Sequence, residues 1–183
     1  MFDQAKTAAM SFMGNEEITL PFCDSLAEQG WVFDEAYSAA PICTPSRASV
    51  HTGTYPQVHQ VTCHQHRAPY NLPQLAELLQ EAGYYTAAAG HYEPERNLHR
   101  GWHEQSPMHE RGPLFNSWMD HIRSGRRDVA WSSGGIDVDA EQGNSALLTD
   151  RMLRMIEQAN GSGKPFFLHM CYDDPHPPYF VPK

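Results

Sequence analysis

The sequence predicts an α/β domain with a mostly parallel central sheet. Helix-like and strand-like segments alternate in series, the helix-like ones close on glycine or Asn-Gly, and apolar runs of strand length follow them. Residues 20–29 read as a helix, with Thr19 as a candidate N-cap, Pro21 in the first turn and Gly30 past the end. Residues 31–37 follow as a short strand. Residues 72–82 read as a helix capped by Asn71, with Pro73 in its first turn and a Leu75, Leu78 and Leu79 stripe expected to be core. Residues 84–89 then form a buried strand. Between residues 91 and 143 the periodicity weakens. Ser132, Ser133, Gly134 and Gly135 mark a loop there, and one short helix is expected over 115–122. A third helix over 145–159 places Leu148, Met152, Met155 and Ile156 on one face, with Asn160 and Gly161 at its end. Residues 165–172 are an apolar strand, followed by the polar, proline-rich loop Asp173-Asp174-Pro175-His176-Pro177-Pro178-Tyr179. Ligands of such sheets bind beyond the carboxyl ends of the strands, where the loops after Tyr37 and Tyr172 are expected.

The 183 residues suffice for one compact domain, and neither repeats nor low-complexity tracts interrupt them. Thirteen Lys and Arg against 22 Asp and Glu give a net charge of −9, which argues against a broad nucleic-acid surface but leaves room for a local basic pocket. No stretch approaches the roughly 20 apolar residues of a membrane span. The start, Met1-Phe2-Asp3-Gln4, lacks the basic-then-apolar pattern of a signal peptide. Eleven histidines point to metal or proton chemistry. Cys23, Cys43, Cys63 and Cys171 are too widely spaced for a disulfide framework or a zinc ribbon, and reduced or buried thiols are the plain expectation for them.

The informative segment is Ala40-Pro41-Ile42-Cys43-Thr44-Pro45-Ser46-Arg47-Ala48-Ser49-Val50-His51-Thr52-Gly53. It places a cysteine at the end of a strand and the start of a short helix, with Pro45 in the first turn. Free backbone N–H groups and the positive end of the helix dipole would lie near Cys43, and Arg47, one turn on, can lean back toward it. Such a setting lowers a thiol pKa or holds an anion. The alternative is a buried thiol before a helix.

Cys43-Thr44-Pro45-Ser46-Arg47 resembles the type I sulfatase signature Cys-x-Pro-x-Arg, continued by Ala48-Ser49 and Thr52-Gly53. The segments 20–41, 72–90 and 163–179 are similar to the family's flanking helices, strands and histidine loop in the same order. The resemblance covers most of the chain. It implies an alkaline phosphatase-like α/β/α sandwich, here incomplete, with residues 1–183 as one partial amino-terminal catalytic domain lacking the first strand and the carboxyl-terminal part. It implies sulfate-ester hydrolysis through a formylglycine made from Cys43 by a dedicated generating system. Arg47 would support the formylglycine hydrate, His176 would contact sulfate or the leaving oxygen, and Asp3 with residue 43 would bind calcium or another divalent cation. A sulfated small molecule or glycan is the implied substrate. Phosphonate or phosphate ester hydrolysis on the same scaffold is the neighbouring alternative, and a catalytically inactive truncated module is the more distant one.

There are departures. Relatives carry Gly-Lys-Trp-His where this chain has Gly90-His91-Tyr92-Glu93, so His91 stands in for a sulfate-binding lysine and Glu93 for a histidine, where a carboxylate would repel sulfate. His51 replaces a usual apolar residue, which implies altered packing. A further metal-ligand pair and a second lysine are expected beyond Lys183, so the isolated chain is expected to have little or no activity. His59, Cys63, His64 and His66 form a local run whose spacing fits no standard zinc site and is better suited to a surface or pocket loop. Arg123, Arg126 and Arg127 are expected on a solvated face.

Overall fold

The computed structural model describes residues 1–93, 96–107, 133–136, 139, 141, 143–177 and 179–182. Its helices are α1 (Pro21–Gln29), α2 (Cys43–Thr52), α3 (Pro56–His59), α4 (Leu75–Glu81) and α5 (Asn144–Gly161). Its strands are β1 (Tyr85–Gly90), β2 (Glu104–Pro107), β3 (Ser133–Ile136), β4 (Phe166–Cys171) and β5 (Tyr179–Pro182). β1 is the centre of a parallel sheet in the order β2-β1-β4, and β3 and β5 form a separate parallel pair. The expected α/β class with a parallel sheet is therefore present.

β1 is built around three consecutive alanines, all fully buried. Successive strand residues face opposite sides. Ala88 accordingly packs with Ala76 of α4, Tyr92 and Trp102, while Ala87 and Ala89 pack with Met155 of α5. Methyl-sized side chains let helices approach both faces of the sheet closely. At the start of the chain, Phe2 forms a parallel bridge with Tyr172. The Asp3 N–H donates to the Tyr172 carbonyl at 3.1 Å, and the Tyr172 N–H donates to the Met1 carbonyl at 3.0 Å. Where the sequence led us to expect no strand to hold Asp3, this short extended stub holds it just beyond the carboxyl end of β4.

Several expectations need correction. Residues 31–37 form no strand, and Trp31 is 92% exposed; among the described residues no strand pairs with this segment. α4 begins later than expected: Gln74, not Asn71, occupies the N-cap in a reciprocal capping box with Glu77. Its leucine stripe is not core, since Leu75 and Leu78 are 41% and 51% exposed and Ala76 is the buried residue. The supposed loop at Ser133–Gly135 lies in β3, where backbone pairing to β5 needs no bulky side chains. The supposedly irregular region after residue 91 contains β2. The helix expected over 115–122 and the arginine run at 123–127 lie outside the described residues.

α2 presents Arg47 and His51, one turn apart, to the interior. His51 is 3% exposed and packs edge-on against Trp102 and His169, with ring centroids 6.0 and 5.0 Å away. Its Nε2 has no hydrogen-bond partner. Burial, reinforced by His169 and Arg47, pushes the His51 pKa down to about 3; burial, the chain amino terminus and Arg47 push His169 down to about 4. Both rings are thus neutral when folded but bind a proton near pH 6.5 when unfolded, so stability falls as pH drops below about 6.5, by up to about 1.4 kcal/mol per pH unit for each ring. In chemical denaturation at stepped pH, His51→Leu is predicted to retain stability at pH 7 and to show a shallower acid slope. An unchanged slope would contradict this origin.

Candidate active site

The site lies at the carboxyl ends of β1 and β4, beside the amino-terminal end of α2. Cys43 is the first residue of α2 and is partly exposed. Its lead-in is irregular backbone rather than the strand the sequence suggested. The Cys43 Sγ is 3.6 Å from Nδ1 and 3.9 Å from Nε2 of His64, which is an exposed side chain. Thr44 Oγ1 lies 2.9 Å from His64 Nδ1 and donates to Glu93 Oε1 at 3.1 Å.

Arg47 is engaged with the start of the chain. It is 3% exposed, and its guanidinium lies 3.3 Å from Asp3 Oδ2. His91 completes the arrangement. It follows β1 directly, and its backbone N–H donates to the Cys171 carbonyl at 2.9 Å. That close approach requires Gly90, whose φ is +86°, since a Cβ there would sit 2.0 Å from the Cys171 carbonyl oxygen. The His91 Nδ1 is 3.0 Å from Asp3 Oδ2 and 3.5 Å from Asp173 Oδ1, and its Nε2 is 2.9 Å from Glu93 Oε1. Glu93 holds this position with a φ of +61° and has Arg96 Nε 3.8 Å from its other oxygen.

Charges therefore alternate along a buried chain: Arg47, Asp3, His91, Glu93. Burial by itself would lower the His91 pKa. Hydrogen bonds to Asp173, Asp3 and Glu93 outweigh it and push the pKa up to about 11. Burial likewise works to raise Asp3 and Glu93, but His91, with Arg47 adding to it, holds both carboxyls below their ordinary range. His91 is thus a standing cation, with Nε2 hydrogen-bonded to Glu93 and Nδ1 within 3.5 Å of oxygens of Asp3 and Asp173. Glu93, expected only to repel an anion, is neutralised by this pairing. His176 sits half-buried in the loop after β4, its backbone N–H donating to the Asp173 carbonyl at 2.8 Å, its ring Nδ1 against the Pro177 carbonyl, and within electrostatic reach of Asp3.

The structure gathers Cys43, Arg47, Asp3 and His91 into one neighbourhood, with His176 at its edge. Sequence reasoning missed His64 as the neighbour of Cys43. The histidine run it belongs to separates in space: His59 is buried with Ser49 and the Val61 N–H, and His66 bonds Thr62. Calcium demands six to eight oxygen ligands. Among the described residues only Asp3 of the expected ligands offers a carboxylate, its Oδ2 already faces two cations, and sulfur at residue 43 is a poor calcium ligand. The described residues do not make a calcium site by themselves. Cys43, His64 and Glu93, by contrast, bring their ligand atoms within 4.8 Å of one another.

His91→Leu is predicted to destabilise the fold by about 3–5 kcal/mol at pH 6, because Asp3 and Glu93 lose the cation between them. The folded pKa of His91 is raised, so its contribution is full below about pH 6.5 and is lost as pH rises through about 11. The gap between wild type and variant in urea unfolding should therefore narrow from pH 7 to pH 10. A pH-independent gap would contradict the charge assignment.

Comparison with known proteins places this geometry in context. The sulfatase family matches residues 1–183. The chain is 28% identical to an arylsulfatase of Clostridium perfringens, covering 100% of this chain and 44% of that protein. It is 29% identical to an N-acetylglucosamine-6-O-sulfatase of Bacteroides thetaiotaomicron, covering 96% of this chain and 30% of that protein. The fold is similar to the phosphonate monoester hydrolase of Agrobacterium radiobacter, with a TM-score of 0.76, 21% identity and coverage of 99% and 41%. The chain thus spans less than half the length of these relatives. Its signature helix, parallel sheet and end-to-end match show that it belongs to the sulfatase family.

Proposed function

We propose that the whole protein hydrolyses sulfate esters, with residue 43 acting as nucleophile after its thiol has been converted to formylglycine by a generating system. The observation that carries this is the place of Cys43: partly exposed, first in α2, and joined through Thr44 and Glu93 to the His91–Asp3–Arg47 chain. The hydrated aldehyde supplies two hydroxyls on one carbon, one to attack sulfur and one to expel sulfate afterwards. The chain's own residues prepare that position. The free N–H groups at the start of α2 offer donors to an anion. Arg47 and His91 fix the Asp3 carboxylate, which is the proposed contribution of this chain to a calcium site completed by other oxygens. His176, at the edge, would donate to sulfate or to the leaving oxygen.

Aryl sulfates or sulfated sugars are the substrate class favoured by the names of the relatives. Phosphonate and phosphate esters are the alternative on the same nucleophile. The test is turnover of an aryl sulfate by the whole protein, with phosphate and phosphonate esters in competition and mass analysis of the Cys43 peptide. Sulfate ester is expected to be preferred, the peptide to be lighter by about 18 Da as CH₂SH becomes CHO, and Cys43→Ala to lose about 10³-fold or more in rate. Full activity with an intact thiol would overturn the mechanism, and preference for a phosphonate ester would overturn the substrate class. The 183-residue chain alone is expected to show little or no turnover in the same assay.

A further inference from the structure

We propose that Cys43, while still a thiol, forms with His64 and Glu93 a binding site for a thiophilic divalent cation of the zinc class. The three ligand atoms come from separate parts of the chain: the start of α2, the loop after α3 and the turn after β1. All lie within 4.8 Å of one another. A tetrahedral zinc with bonds of about 2.3 Å to sulfur and about 2.05 Å to nitrogen holds the two ligand atoms about 3.5 Å apart. The Cys43 Sγ is 3.9 Å from His64 Nε2, about 0.4 Å beyond that spacing, so a small rotation of the exposed His64 side chain closes the site.

The supporting contacts are those of a metal site. Thr44 Oγ1 lies 2.9 Å from His64 Nδ1, so it can accept from that N–H and leave Nε2 for a metal while donating onward to Glu93 Oε1. Histidine ligands are commonly oriented in this way. Glu93 spends Oε1 on Thr44 and His91, and among the described residues its other oxygen has Arg96 Nε at 3.8 Å as its ion-pair partner. Cys43 supplies sulfur, His64 a ring nitrogen and Glu93 a carboxylate oxygen, and a fourth position remains for water.

Donor chemistry separates this site from the calcium proposed for the mature enzyme. Sulfur with imidazole selects zinc-like cations, whereas calcium takes oxygens. Conversion of the thiol to an aldehyde removes the sulfur, so the site exists only in the unconverted protein. A cation held there occupies the thiol and shields it from any reagent that must reach it. The inference does not depend on the proposed hydrolysis, since it concerns the encoded cysteine.

The test uses the full chain with Cys43 unconverted and cobalt(II) as the probe. Saturable one-to-one binding with a sulfur-to-cobalt charge-transfer band is expected, with displacement by zinc and protection of Cys43 from alkylation by iodoacetamide. Cys43→Ser should abolish the band, and His64→Ala, at an exposed position, should weaken binding at least about tenfold. Glu93→Gln should weaken binding too, while Cys63→Ser and His66→Ala should bind as the parent does. Parental affinity in any of the first three variants, loss of binding in Cys63→Ser, or absence of saturable binding would overturn the proposal.

Discussion

The structure around the site depends on one interaction, the His91 imidazolium held between the carboxylates of Asp3 and Glu93. Each member has a separate reason to be buried, and none could be buried alone. Arg47 comes from the inner face of α2, Asp3 from the start of the chain, His91 from the end of β1 and Glu93 from the turn that follows. An isolated buried charge is costly, and a buried pair is stable only when the remaining donors and acceptors are also met. Here two cations and two anions alternate, and Asp173 stands at the margin. The network thereby ties α2, β1 and the end of β4 together at the point where Cys43 emerges.

The sheet makes that convergence possible. The alanines of β1 bring α4 and α5 close to its two faces, and Gly90 lets β1 and β4 remain in contact to their ends. Parallel pairing directs both carboxyl ends to the same side, so the turns bearing His91 and Asp173 meet the chain start bearing Asp3. His91 stands where the sequence resemblance leads one to expect a lysine, and it holds charge by a different means. An amine is cationic on its own at neutral pH, whereas this imidazole is cationic because three carboxylates surround it. Glu93 is in direct contact with His91, so the two positions expected to differ from the sulfatase pattern form a pair.

Much of this was legible in residue order. The signature around Cys43, the strands near 85–90 and 166–171, and the helix near 144–161 carry strong local patterns, and all are present. Failures occurred where local pattern and tertiary partner disagreed. The residues 31–37 look strand-like, but among the described residues no strand pairs with them. The leucines of α4 have helical spacing, but the small Ala76 faces the sheet, where Gly101 and Trp102 also pack closely. Ser133–Ile136 looks like a loop because glycine hides the pairing of the backbone. His64 could not be assigned from spacing, since its approach to Cys43 depends on how the intervening loop folds back. Glu93 was read as a single substitution in an anion site, and its role appears only with its partners in place.

The most direct test of the account is the protonation state of His91 in the folded protein, followed by nitrogen-15 and carbon-13 NMR of selectively labelled histidine. The ring should remain a doubly protonated imidazolium through pH 9, with both N–H protons in slow exchange. Titration of His91 to the neutral form near pH 6.5 would contradict it, because Asp3 and Glu93 would then lack the cation that holds them.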